Sequence, residues 1–227
     1  QVNMAPALPR LLFCHGLESG PQGFKVRTLL AQGHEGVAPA MHMSLCDIRE
    51  RNSLLRSLLS TSALFGRWPS DWLAGAMDDS FAACASILRA SVLNSSPSCD
   101  VLVGSSWGGA VAALIIAEGT WTGPAILLCP PLSLKERWTG ALDPALSADT
   151  ITAALAALPP KQKARLLLVH GTADATVPIE DSQALSAATG IALECIDCGS
   201  HGLGAIVRDG RMGQFLQRVT SDDEMRR

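Results

Sequence analysis

Val101-Leu102-Val103-Gly104-Ser105-Ser106-Trp107-Gly108-Gly109 reads as a strand running into a turn and then into a helix. Its apolar start has strand character, its middle is Gly-x-Ser-x-Gly, and small apolar residues of helical character follow at once (Ala110, Val111, Ala112, Ala113, Leu114). A strand–sharp turn–helix junction holds the central serine in a strained backbone conformation, with its hydroxyl proud of the sheet edge. Gly104 and Gly108 fall where the incoming strand and the outgoing helix nearly touch, and a Cβ on either would clash. Ser106 is therefore the candidate nucleophile. Ser105 occupies the x position, where a side chain points away from the apex. The competing reading is a Gly/Ser-rich turn, because G-x-S-x-G also arises by chance.

The flanking sequence supplies alternating strands and helices. Residues 10–14 form a short buried strand that runs into His15-Gly16-Leu17-Glu18-Ser19-Gly20-Pro21, a loop of turn residues. Phe24, Val26, Leu29 and Leu30 predict a helix over 23–33, and 36–41 is a weaker strand, which completes a βαβ unit and implies a parallel sheet. Helical periodicity covers 48–64, Gly66-Arg67-Trp68-Pro69 breaks it, and a stronger amphipathic helix spans 76–93. After the helix at 107–118 come strands at 125–129, 165–169 and 191–196, a helix at 179–189 and a last helix over 203–219. Residues 130–163 depart from strict alternation and are the candidate for a small helical lid. The expected fold is a single α/β domain over 1–227: a mostly parallel sheet of six or seven strands with helices on both faces.

Composition narrows the function. With Lys+Arg 18 and Asp+Glu 21 the net charge is −3, and no basic stripe exists, so nucleic acid is not an expected partner. The longest apolar runs are far too short for a membrane-spanning segment. The seven cysteines are an odd, scattered set, read as free thiols in a reducing, cytoplasmic compartment rather than as a disulfide framework. Cys195-Ile-Asp-Cys198 lacks a second pair for zinc and does not open a helix, and the sequon Asn94-Ser95-Ser96 is silent in that compartment. No signal peptide is visible, although Gln1 is compatible with a trimmed leader.

A serine hydroxyl needs a base to take its proton and a third group to orient that base. In an open parallel sheet the reacting groups belong just beyond the C-terminal ends of strands. Three such ends carry Ser106, Asp174 and His201, in that order. The other histidines have weaker claims: His15 and His170 precede glycine at strand ends, where a ring more often supports a loop, and nothing couples His34 or His42 to Ser106. Asp197 and Asp100 compete with Asp174, but Asp174 follows a separate strand and can reach the imidazole from the side.

The chain resembles the α/β-hydrolase superfamily from Leu11 to about Leu216. The resemblance rests on Phe13-Cys14-His15-Gly16-Leu17, Gly104-Ser105-Ser106-Trp107-Gly108, His170-Gly171-Thr172-Ala173-Asp174-Ala175-Thr176-Val177-Pro178 and Ser200-His201-Gly202. Its compact size and His-Gly-Leu-Glu-Ser-Gly-Pro start are similar to small carboxylesterases and small acyl-thioesterases, between which the motifs do not choose. The resemblance implies Ser106 as nucleophile, His201 as general base and then acid, and Asp174 as its orienting carboxylate. It implies an oxyanion hole from the backbone N–H groups of Leu17 and Trp107. Glu18 and Ser19 beside that loop, and Trp138 in the lid, are candidate substrate contacts. Trp68 and Trp72 are candidates for an acyl pocket or for plain core packing. The expected substrate is a small ester or thioester with an apolar acyl group, with no metal and no organic cofactor. The alternative is a non-hydrolytic, receptor-like binding protein on the same fold.

Overall fold

Successive residues of a strand face opposite sides of a sheet, so a run that is apolar throughout is stable only with both faces covered. Leu11–Cys14 (β1) and Ala125–Leu128 (β4) are such runs, Val101–Ser105 (β3) and Leu166–Gly171 (β5) are apolar up to Ser105 and His170 near their ends, and all four are buried at every position. Gly36–Val37 (β2) and Ala192–Ile196 (β6) are more exposed and form the edges. The computed structural model describes residues 8–56, 59, 69–95, 98–139 and 143–221. Its six strands pair in parallel throughout, in the order β2-β1-β3-β4-β5-β6, which meets the expected α/β architecture.

The helices are α1 (Phe24–Ala31), α2 (Pro69–Asn94), α3 (Trp107–Ala117), α4 (Leu132–Thr139), α5 (Ala148–Ala156), α6 (Pro160–Lys163), α7 (Ile179–Thr189), α8 (Gly204–Arg208) and α9 (Arg211–Thr220). Leu12, Leu102, Leu127 and Leu168 point to the face covered by α2, α3, α5 and α7. Leu11, Val103, Ile126 and Leu167 point to the face covered by α1, α8 and α9. Helix α3 is buried from Trp107 to Ile116, as a helix that is apolar on every side must be. No described helix is long and apolar enough to cross a membrane, and all seven cysteines are free thiols.

Several boundaries differ from the sequence expectation. The second strand stops at Val37, two residues before Pro39, which has no N–H to give to a ladder. Helix α2 begins at Pro69, seven residues ahead of the expected start. The proline expected to break a helix sits at its first position, where a missing N–H does no harm. Of the helix expected over 48–64, residues 48–52 are turn and bend, 53 is irregular, 54–56 and 59 are helical, and the rest lie outside the described residues. The last helix is split at Asp209-Gly210, with Gly210 at φ 84°. Within 130–163, α5 is a crossover helix whose Ile151 and Leu155 are buried in the core, so this part of the expected lid is core.

The chain leaves β1 toward β2 and then crosses back over β1 to reach β3. The loops after β1 and β3 therefore part at this point, the position where open α/β sheets hold their ligands. Glycines lock the two strand ends together. A Cβ on Gly104 would stand 2.6 Å from the Gly108 carbonyl oxygen, as expected for a tight strand–helix junction. A Cβ on Gly108 would instead stand 2.3 Å from the carbonyl oxygen of Cys14 and 2.4 Å from that of His15, both at the end of β1. These are backbone atoms and cannot rotate away. Gly108→Ala is expected to cost about 3 kcal/mol or more, a fall in Tm of roughly 6–12 °C for a chain of this size. Thermal unfolding followed by circular dichroism measures it, and an unchanged Tm would contradict the close approach.

Candidate active site

Ser106 caps α3 with φ 54° and ψ −124°. A positive φ is strained for a residue with a Cβ and costs on the order of 1–3 kcal/mol. The turn lifts the hydroxyl out of the sheet, and Ser106 Oγ lies 2.9 Å from His201 Nε2. His201 arrives on the turn after β6, and its Nδ1 lies 2.7 Å from Asp174 Oδ2. Asp174 comes from the turn after β5. Its Oδ1 accepts the backbone N–H groups of Thr176 and Val177 at 2.8 and 2.9 Å. Burial alone would raise the Asp174 pKa, but the amides of Val177 and Thr176 and the His201 ring outweigh it and hold the carboxyl below its ordinary value. By linkage the Asp174 carboxylate adds stability above the unfolded carboxylate pKa, and this is lost as pH falls through the lower folded value.

The other histidines have structural partners. Met41 N–H donates to His15 Nε2 at 3.1 Å, so the ring proton sits on Nδ1, 3.0 Å from the Gly16 carbonyl. Burial lowers the His15 pKa and favours this neutral form. Buried His170 lies with Nε2 3.0 Å from the Val177 carbonyl and accepts from Ser182 Oγ at Nδ1, 2.7 Å away. Its Nε2 also lies 3.3 Å from Asp174 Oδ2, so His170 supports the acid's loop. His34 contacts the Pro9 carbonyl and His42 pairs with Glu50. The rival acids are elsewhere: Asp197 is exposed, and Asp100 accepts the Arg10 N–H.

The turn after β1 lies directly against the serine. A Cβ on Gly16 would stand 3.0 Å from Ser106 Cβ and 3.6 Å from Ser106 Oγ. Leu17 follows this contact, and Trp107 is the first residue of α3, where a helix has no internal acceptor for its N–H. Neither N–H finds an acceptor among the described residues. The positive end of the α3 dipole adds to a field that favours negative charge here. The Trp107 indole is buried, packed edge-to-face on Phe81 with ring centroids 5.4 Å apart, so only its main chain faces the site.

A cavity of about 300 Å³ opens above Ser106 and His201, and Ser19 and Leu17 line it. Glu18 does not reach it. That side chain is turned away at φ 51°, and its carboxylate accepts from Ser44 Oγ and the Leu45 N–H, tying two loops together. Trp138 is in α4, but its side chain lies outside the described residues, as do Trp68 and the Trp72 side chain. No described residue of 130–163 lines the cavity. Sequence reasoning missed Lys25 and Arg208, which do. Lys25 had a legible signal: it is a cation in the first turn of α1, where the helix dipole disfavours positive charge. Arg208, in the last turn of α8, suits its dipole and gave none.

One group of described residues could offer metal ligands: Cys129, His170 and Asp174 bring a thiol, a ring nitrogen and a carboxylate oxygen within 4.8 Å of one another. Those atoms are otherwise engaged. His170 and Asp174 hold the partners given above, and burial pushes the Cys129 thiol up to about 12, away from the thiolate a metal needs.

The sheet order, the elbow after β3 and the side chains gathered at the strand ends define an α/β-hydrolase fold. A hydrolase-superfamily protein from Xanthomonas campestris pv. campestris superposes with a TM-score of 0.53 at 24% identity, covering 92% of this chain and 96% of its own. The Pyrococcus furiosus esterase Pf2001 gives a TM-score of 0.58 at 15% identity, covering 95% and 85%. Est1E from Butyrivibrio proteoclasticus gives 0.51 at 16%, covering 94% and 90%. At these identities the likeness is one of fold. No protein-family model and no curated relative matches the sequence.

Proposed function

We propose that the protein is a serine hydrolase that cleaves a carboxylic ester or thioester through an acyl-enzyme on Ser106. The observation that carries this reading is the unbroken chain of hydrogen bonds from Ser106 Oγ through His201 to Asp174, on a serine held at positive φ beneath a cavity. In the reaction, Ser106 Oγ attacks the carbonyl carbon as its proton passes to His201 Nε2. Asp174 keeps the proton on Nδ1 and stabilises the imidazolium that forms. The Leu17 and Trp107 N–H groups receive the oxyanion, a contribution of about 3–4 kcal/mol per donor in comparable sites. Collapse of the tetrahedral intermediate breaks the bond to the alcohol or thiol, which takes the proton from His201. Water then attacks the acyl-Ser106 ester with His201 again as base, releasing the acid.

The direct test is labelling of the native protein with a fluorophosphonate probe, followed by peptide mass spectrometry. The expected result is one phosphonyl group per chain, on Ser106. Unlabelled Ser106 under conditions that keep the protein folded would exclude an activated nucleophile and favour a receptor-like role.

A further inference from the structure

The cavity above Ser106 is unusually charged for one expected to take a plain apolar acyl group. Lys25 and Arg208 both line it, and no aspartate or glutamate among the described residues does. This runs against the chain as a whole, whose net charge is −3. Lys25 Nζ donates to Ser105 Oγ at 3.1 Å, which sets the ammonium beside the residue that precedes the nucleophile, and its other two donors find no acceptor among the described residues. Its other neighbours among the described residues include no carboxylate, and burial lowers its pKa. Arg208 lies over the Phe24 ring, 5.4 Å from its centroid, which fixes the guanidinium on the rim without neutralising it. It too has no carboxylate partner among the described residues. Two cations from different elements thus converge on one cavity with no protein anion among the described residues to match them. A part-buried cation without a counter-charge is costly in a free protein, and an anionic ligand removes that cost.

We propose that the ester or thioester cleaved at Ser106 carries a carboxylate or phosphate within a few bonds of its scissile carbonyl, and that Lys25 and Arg208 bind that group. This rests on Ser106 being the nucleophile. The spacing follows from Lys25: an anion held by its ammonium sits next to Ser105, so the chain joining it to the reacting carbonyl is short. The apolar lining from Phe13 and Val26 packs against that chain.

The test compares each of two anionic esters with the neutral ester in which an isopropyl group replaces the carboxylate. Monomethyl glutarate carries the charge on the acyl side and p-acetoxybenzoate on the alcohol side. In the wild type one pair is expected to favour the anion by about tenfold or more in kcat/KM, the scale of a charge-assisted contact. Arg208→Gln and Lys25→Met are each expected to cut that ratio several-fold, and Arg208→Lys to restore part of it. The ratio is internal to each variant, so general damage does not move it, and exposed Arg208 keeps the test usable if Lys25→Met folds poorly. Competition by glutarate and by inorganic phosphate separates carboxylate from phosphate as the favoured group. Equal or better turnover of both neutral esters overturns the inference. It leaves the nucleophile intact if that turnover is lost in Ser106→Ala. Absence of any turnover together with an unlabelled Ser106 overturns both.

Discussion

Ser106→Ala is expected to lower kcat/KM toward a short-chain p-nitrophenyl ester by at least ~10⁴-fold, because residual catalysis then comes only from binding and the oxyanion donors. The same position makes a second, independent prediction. At φ 54° a Cβ is strained whether it carries a hydroxyl or not, so alanine keeps the strain and loses only the bond to His201, about 1 kcal/mol. Ser106→Gly removes the Cβ and is expected to be more stable than the alanine variant by roughly 1 kcal/mol or more, although equally inactive. Urea unfolding of the pair measures the order. Activity surviving in Ser106→Ala at the wild-type rate would remove the nucleophile, and an alanine variant as stable as glycine would remove the strain.

Asp174→Asn is expected to lower kcat by about 10⁴-fold with little change in fold, and the loop around it explains why. Thr176 and Val177 point two N–H groups at Oδ1, and only the oxygen of an asparagine can accept them. Its NH₂ is then turned toward His201 Nδ1, which must accept, so the ring proton moves to Nε2. In that tautomer Nε2 faces Ser106 as a donor and cannot take the serine proton. The NH₂ also meets His170 Nε2, which lies 3.3 Å from Asp174 Oδ2 and is held by the Val177 carbonyl. A kcat assay beside near-ultraviolet circular dichroism separates the two effects. Retention of more than a tenth of the activity would mean that the imidazole is oriented by another group.

The parts of this arrangement that were legible in the sequence are those set by steric or periodic necessity. The four central strands are mainly apolar because both faces are covered, and the elbow is a pair of glycines around a serine because nothing larger fits. Ser106, Asp174 and His201 were readable because each closes or follows a strand, and the structure brings their side chains within hydrogen-bond distance. What was not legible depends on where side chains turn. Glu18 lies in the loop expected to meet substrate, yet its carboxylate is drawn to Ser44. Pro69 has the local signature of a breaker because proline ends helices from the inside, whereas here it begins one. Ile151 and Leu155 carried a helical period, but no local signal distinguished a crossover helix from a lid. Arg208 lies in the last turn before the break at Asp209-Gly210, and nothing in its own position marks it as facing the cavity.

The fit of Gly108 against the carbonyls of Cys14 and His15, and of Gly16 against Ser106, has a mechanical meaning. These contacts join segments ninety or more residues apart and leave no room for play between them. The nucleophile and the loop that faces it are effectively one rigid part, like two gear teeth in mesh. They cannot separate by a small hinge motion, only by loss of the β1–β3 pairing itself. Substrate entry must then be governed by the mouth of the cavity, and heat should silence the site in the same event that melts the sheet.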